Sequence, residues 1–324
     1  MANKISPNQI TYRELLVGHY AKYFYLNPTS TTEVAIIVHS LKNRKCEGFD
    51  GLCISPIKDT IDLIAAPLTH ICNLSFSQGV FPDKLKTAKI LPIFKCDDSS
   101  FFSNYRPISI LRCLSKVFEK LFYFRLSGFL EKFDILSHHQ YGCRPHHSTT
   151  MAILEFVNNI YEGFESNEYT IGIFLDLKKA FDTVNHQILI DKLNFYGIRG
   201  IPLAWLTSCL DNRQQYVMVN GHVSSNNTVV CGVPQGFVLD PLLFLLYIND
   251  LFLSSNFLSF ILFADDTNIS FRHKDLVDLA TFARMVNQEL SHVSSWFNAN
   301  KLTVNPDKFK FIIFHPRRKQ INPS

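Results

Sequence analysis

Apolar residues recur at helical spacing in several stretches of the chain. Leu114, Val117, Phe118, Leu121, Phe122, Leu126, Phe129 and Leu130 fall three and four positions apart. That predicts an amphipathic helix over 114–132 with one face turned to a core. Residues 151–164, 187–196 and 276–298 also read as helices, and the apolar runs 57–76, 205–210 and 242–251 as more buried ones. Ser30-Thr31-Thr32-Glu33 fits a capping box and opens a further helix through about Lys42. Short apolar runs predict strands at 88–94, 168–175, 215–220, 227–231, 258–263, 267–271, 302–304 and 310–314. Pro92 has no N–H to donate and suggests that the first of these is an edge strand. Helices mixed with short, locally paired strands, without regular βαβ alternation, predict an α+β fold.

Composition narrows the class. Apolar residues make up 47% of the 324 and charged residues 19%, with 29 Phe, which argues against disorder and coiled coil. The length allows one large domain or two smaller ones. The most apolar region, Pro241 to Ala264, is interrupted by Asn249, Asp250, Ser254, Ser255 and Asn256, so it reads as buried core rather than a membrane span. Met1 to Gln9 carries no apolar run, so no secretory signal is readable and an intracellular location is expected, cytoplasm and nucleus being left open. The eight cysteines form no C-x-x-C pair and are expected to be reduced thiols. His138-His139 and His146-His147 have no Cys or carboxylate at ligand spacing, so neither pair is expected to bind metal.

Charge adds a hint. The net charge is +4, but Lys84 to Arg125 holds nine basic residues against Asp97, Asp98 and Glu119, a local excess of six. Lys308, Lys310, Arg317, Arg318 and Lys319 form a second basic zone. Two such zones suit a polyanion groove, and they equally suit solvated helix faces.

The candidate chemistry lies in three carboxylates. Asp176 follows the apolar strand Ile171 to Leu175, and Asp265-Asp266 occupy a tight turn between two apolar strands. Charges at the ends of buried strands are costly unless paired or metal-bound. Three carboxylates converging from two strands could hold a pair of divalent ions for phosphoryl transfer, with Mg²⁺ suited by its preference for oxygen. Alone, the Asp-Asp pair could be a polar hairpin turn, and Asp176 a helix cap.

The surrounding residues resemble a known family. Phe174-Leu175-Asp176-Leu177-Lys178-Lys179-Ala180-Phe181-Asp182-Thr183-Val184 resembles the first catalytic motif of reverse transcriptases from non-LTR retrotransposons. Phe263-Ala264-Asp265-Asp266-Thr267 resembles their aromatic-Ala-Asp-Asp motif, and Gly232-Val233-Pro234-Gln235-Gly236 their Pro-Gln-Gly loop. Asn104-Tyr105-Arg106-Pro107-Ile108-Ser109 and Gln140-Tyr141-Gly142-Cys143-Arg144-Pro145 resemble two fingers motifs. Trp296-Phe297 through Asn305, Lys308 and Phe314 resembles the motif after the Asp-Asp hairpin. Six motifs thus stand in the family's order over about residues 80–315, and the jockey-like group of mobile elements is the nearest in pattern.

The resemblance implies a right-hand polymerase fold, with helical and β fingers at about 80–165 and an antiparallel-sheet palm at about 166–315. Together these form a reverse transcriptase domain over 75–324, and residues 1–74 form a mostly helical extension. It implies RNA-directed DNA polymerase activity on an RNA template, DNA primer and dNTPs, with no membrane partner. Asp176, Asp265 and Asp266 would bind two Mg²⁺ ions, with Mn²⁺ as a substitute, and Lys308 would protonate the leaving pyrophosphate. Phe181 stands at the family's steric-gate position, where a ring under the sugar excludes a 2′-hydroxyl. Gln235 and Gly236 would contact the nucleotide, and Lys95 and Arg106 its triphosphate. Arg144 would support fingers or template backbone, and Asp182 and His186 would cap the following helix. The sequence departs from the pattern at Cys143, Phe237, Asp240 and Phe309. Asp240 replaces a usual Gly, so a positive φ there would be strained. Because the sequence stops at Ser324, soon after the Lys308 motif, it is expected to lack the thumb, the primer-grip hairpin and an upstream endonuclease. A truncated, inactive remnant that at most binds nucleic acid is the alternative.

Overall fold

The computed structural model describes residues 11–16, 18, 20–43, 48, 50–96, 98–234, 236–274 and 279–317. The elements in chain order begin with helices α1 (Thr31–Ser40), α2 (Ile54–Asp59) and α3 (Ile61–Gln78). Strands β1 (Thr87–Phe94) and β2 (Tyr105–Ile110) follow, then α4 (Cys113–Lys132), α5 (Thr149–Glu165) and β3 (Tyr169–Leu175). Next come α6 (His186–Phe195), α7 (Ile201–Leu210), β4 (Gln214–Val219), β5 (His222–Val223) and β6 (Asn227–Thr228). The chain continues through α8 (Asp240–Ile248), β7 (Ser259–Phe263), β8 (Asp266–His273), α9 (Leu279–Ala299) and β9 (Lys310–Phe314). Mixed helices with antiparallel and mixed sheets make this an α+β protein, as the patterning predicts. Among the described residues no helix is long and apolar enough to cross a membrane.

The chain divides into two compact units. One draws on Met1–Gly18, Leu136–Thr183 and Phe244–Ser324, the other on His19–Ile135 and Val184–Leu243. The first is built on an antiparallel sheet of order β7-β8-β3-β9. Strand β3 lies inside it and is buried along nearly its whole length, which explains its unbroken apolar run. Helix α5 covers this sheet, with Phe156 edge-on to Phe174 and Phe314. Gly172 makes that approach possible, since a Cβ there would lie 2.5 Å from Phe156 Cζ. On α9, the buried Trp296 donates to Asp250 Oδ2 (3.0 Å), and Tyr247 donates to Asn300 O (2.6 Å). The hydroxyl and indole of these large rings are therefore satisfied inside the core.

The second unit pairs strands in the order β2-β1-β4-β5, with β6 also on β4. Beside the sheet, the rings of Phe76, Phe81, Phe118, Phe122 and Trp205 gather. Trp205 stacks on Phe122 at 4.4 Å and 8°, and its indole donates to Ser75 Oγ (2.9 Å).

Several expectations need adjustment. Strand β1 is interior, not an edge. Pro92 is tolerated because β4 pairs only Thr87 to Ile90, and Pro92 faces Pro107 across β2. The helix read over 57–76 is two, broken at Thr60, whose hydroxyl bonds back to Pro56 O (2.8 Å). Pro67 stays inside α3, on a helix whose Leu63, four residues earlier, is exposed to water. Residues 302–304 form no strand, only a bridge between Val304 and Leu177. The predicted helix start at 276–278 lies outside the described residues. Ser30 accepts from Glu33 N as a capping box requires, but the Glu33 carboxylate turns to Thr29 and Arg125 instead of back to the cap.

Candidate active site

Strand register gathers the carboxylates. The β3–β8 ladder ends at Leu175 opposite Thr267, so the next step places Asp176 opposite Asp266. Asp266 in turn closes the β7–β8 hairpin opposite Phe263, with Ala264 and Asp265 as the two turn residues. Ala264 has a positive φ of 54°. Two strands of one sheet thus deliver three acids to one end. The acids crowd one another: displacement of water by the surrounding chain, then the charges of Asp265 and Asp176, hold the Asp266 carboxyl above the usual carboxylate range, while Lys308 opposes this.

Lys308 lies in the turn Pro306–Lys308, and its Nζ is 2.9 Å from Asp176 Oδ2. The loop before it is tied to the end of β3. Lys178 N donates to Thr303 O (2.8 Å), Asn305 N to Asp176 O (2.8 Å) and Asn305 Nδ2 to Asp176 Oδ2 (3.2 Å). Asn305 stands within the motif that carries Lys308, but no local signal in the sequence points to its reach to Asp176. Among the described residues, no three His, Cys, Asp or Glu side chains form a ready-made metal cage. The Lys308 cation sits on one of the three carboxylates. The donor set, three hard carboxylates, is chemically suited to Mg²⁺ or Mn²⁺. Beside it lies a cavity of about 490 Å³ lined by Ile153, Phe156, Phe174, Asp176, Asp266 and Lys308 among others.

Phe181 lies in the turn Ala180–Thr183 that follows Asp176, and its half-buried ring stacks on Phe244 at 4.5 Å and 29°. Helix α6 is capped by Asn185, which accepts from Ile188 N (3.1 Å), and not by Asp182 or His186. Within the second unit, His186 Nε2 donates to Gly232 O (2.8 Å) and Gly232 N to Val184 O (2.8 Å). Together these anchor the strand of chain that leads into the Pro-Gln-Gly loop. Arg144 donates to Ser137 O (2.7 Å) and serves local structure within the first unit.

The remaining candidates belong to the second unit. Lys95 and Arg106 are exposed on the β1–β2 hairpin, where Lys95 N donates to Asn104 O (2.9 Å) and Arg106 pairs with Ile93. Gly236 has φ 118° and backs onto β2, where a Cβ would come within 2.5 Å of Ser109 O, so only glycine fits. Gln235 lies outside the described residues.

Behind this loop is a buried charge cluster absent from the motif reading. Asp240 Oδ2 accepts from Gly236 N (3.1 Å), and Glu119 accepts from Val238 N (2.7 Å) and Ser115 Oγ (2.6 Å). The guanidinium of Arg213, also buried, lies 4.0 Å from the Phe237 ring centroid. Burial, then the neighbouring Glu119, pushes the Asp240 carboxyl up to about 8. Burial likewise raises Glu119. Asp240 begins α8 with no positive φ, so the departure from glycine creates no backbone strain there. Phe237, another of the departures, is the aromatic surface beneath Arg213.

The family described as "Reverse transcriptase (RNA-dependent DNA polymerase)" matches residues 94–322. The chain is 33% identical over 235 residues to the "Probable RNA-directed DNA polymerase from transposon BS" of Drosophila melanogaster, covering 70% of this chain and 25% of that protein. It is 29% identical over 308 residues to the "Probable RNA-directed DNA polymerase from transposon X-element" of the same fly, covering 92% and 33%. It is 31% identical over 239 residues to the "RNA-directed DNA polymerase from mobile element jockey", also of Drosophila melanogaster, covering 74% and 26%. The chain therefore spans between a quarter and a third of these curated relatives.

Proposed function

This chain belongs to the reverse transcriptase (RNA-dependent DNA polymerase) family, alongside enzymes of non-LTR retrotransposons, and on that premise we propose that it extends a DNA primer on an RNA template from dNTPs. The juxtaposition of Asp176 with Asp266 and Asp265 at one end of a buried sheet carries this reading. The four-stranded sheet is the palm, and the β1–β2 hairpin belongs to the fingers.

In the reaction, the primer 3′-hydroxyl oxygen bonds to the α-phosphorus, the bond to the β-bridging oxygen breaks, and pyrophosphate leaves. Asp176, Asp265 and Asp266 would hold two Mg²⁺ ions, for which Mn²⁺ could substitute. When bound, the pair would supply charge neutralisation at the triphosphate and a lowered pKa at the primer hydroxyl. The pairing of Lys308 with Asp176 places an ammonium within the site, where its Nζ gives a proton to the departing pyrophosphate oxygen. Lys95 and Arg106 bind the triphosphate, Arg106 with its planar fork. Gln235 and Gly236 accommodate sugar and base.

Phe181 selects deoxynucleotides. Its stacking on Phe244 fixes the ring as a flat floor. Phe181→Val should raise incorporation of ribonucleotides relative to deoxynucleotides by about tenfold or more, because removing a steric clash worth ~1.4 kcal/mol changes the ratio tenfold. Competition between rNTP and dNTP in single-nucleotide extension measures it, and an unchanged ratio removes Phe181 from the gate.

The overall reading is tested with purified protein, Mg²⁺, dNTPs and a primed RNA template. Extension templated by the RNA is expected. A folded protein that binds the primed template and never extends it would instead be a nucleic-acid-binding remnant.

A further inference from the structure

We infer that Gln140 is a positioning residue for the Asp265–Asp266 turn, and that it sets the affinity of the carboxylate cluster for divalent cations. The metal-binding part of this inference rests on the function proposed above; the positioning itself does not.

The turn has a conformational problem. It has two central residues, and the first, Ala264, has positive φ while Asp265 does not. Glycine is the usual occupant of such a first position, because a Cβ disfavours it. Alanine persists there only if neighbouring structure holds it. Gln140 supplies that hold. It is 2% exposed, and its Oε1 accepts from Ala264 N (2.9 Å) and from Gly142 N (2.8 Å).

The segment carrying Gln140 is itself fastened to β7. Leu262 N donates to His139 O (2.8 Å), Tyr141 N donates to Leu262 O (2.7 Å), and Gln140 bridges Leu262 in parallel. Gly142 lies so close beneath the turn that a Cβ would come within 2.2 Å of Ala264 N. An uncharged amide is the fitting acceptor here. A carboxylate would provide the same hydrogen-bond geometry and add a fourth negative charge near Asp265 and Asp266. The turn carries both catalytic candidates directly after the clamped N–H. A small displacement of such groups weakens every interaction that needs them aligned.

The experiment compares wild type with Gln140→Met, which keeps shape and removes the acceptor, and Gln140→Glu, which keeps the acceptor. Amide hydrogen exchange resolved to residue 264 and Mn²⁺ titration are measured on each. Gln140→Met is expected to exchange Ala264 at least about tenfold faster, with β3 unchanged, and to bind Mn²⁺ about tenfold more weakly. Gln140→Glu is expected to retain the protection. Folded Gln140→Met with wild-type exchange at Ala264 overturns the positioning role, and unchanged Mn²⁺ affinity overturns the link to the cluster. If Gln140→Met does not fold, Gln140→Glu decides: retained protection supports the clamp, lost protection overturns it. A wild-type protein that fails to extend primers would sink the polymerase reading, while the exchange result would still judge Gln140.

Discussion

Asp265→Ala and Asp176→Asn each lower primer extension by about 1,000-fold or more, equivalent to ~4 kcal/mol of transition-state stabilisation, while leaving the protein folded. The two substitutions act on different strands. Asp265 lies in the β7–β8 turn, and Asp176 ends β3. Equal losses from both would therefore report one shared site rather than two local defects. Asp176→Asn is the gentler change, since the amide oxygen can still accept from Asn305 Nδ2, and what disappears is the charge facing Lys308. Burial first, and then the charges of Asp265 and Asp176, push the Asp266 carboxyl up, so the acids repel one another in the fold. Removing one charge relieves that repulsion, so the melting temperature without divalent ions should not fall. Lost activity without lost stability is the expected signature of a site whose arrangement favours function over stability. Single-turnover extension and thermal melting without divalent ions measure the two quantities. Either variant keeping more than about a tenth of the wild-type rate would break the assignment, since a metal ligand in such a site supplies several kcal/mol.

What the sequence disclosed was local. Asp176, Asp265 and Asp266 stand inside short runs whose apolar flanks announce strands and whose acids stand out against them. The same logic located β3, β7, β8 and α4 within a few residues. What stayed hidden depends on distant partners. Gln140 reaches Ala264 across 124 positions, Asn305 reaches Asp176 across 129, and Glu119 meets Val238 across 119. No periodicity encodes such pairings. Pro92 misled for the same reason. A proline's missing donor matters only where its nitrogen faces a partner strand, and Pro92, already opposite Pro107 on β2, lies beyond the stretch of β1 that β4 pairs. Asp240 illustrates the opposite error. Its identity was legible, but its effect lies in burial and charge, not in backbone conformation.

Asp240→Asn stabilises the protein at pH 8, and does so much less at pH 5. Asp240 titrates at about 8 in the folded chain, against an ordinary value of 3.8. Between those values the folded state keeps a proton that the unfolded state releases, so stability falls as pH rises through this window and levels off above it. Across about four pH units, at 1.36 kcal/mol each, the loss could reach roughly 5 kcal/mol. Coupling to Glu119 spreads the titration over the pair and brings the expected loss to about 3 kcal/mol. Charge balance favours the proton. Arg213 places one buried positive charge against two buried acids, and protonating one acid relieves the excess. Asparagine reproduces the neutral form permanently, and its oxygen can still accept from Gly236 N, which keeps the Pro-Gln-Gly loop in place. Urea unfolding of both proteins at pH 5 and pH 8 gives the difference directly, with the other carboxylates cancelling between them. The same slope in both proteins would mean that the buried proton resides elsewhere. A variant weaker than wild type at pH 8 would mean that Asp240 is ionised in the fold and that its charge, paired with Arg213, is what holds the loop.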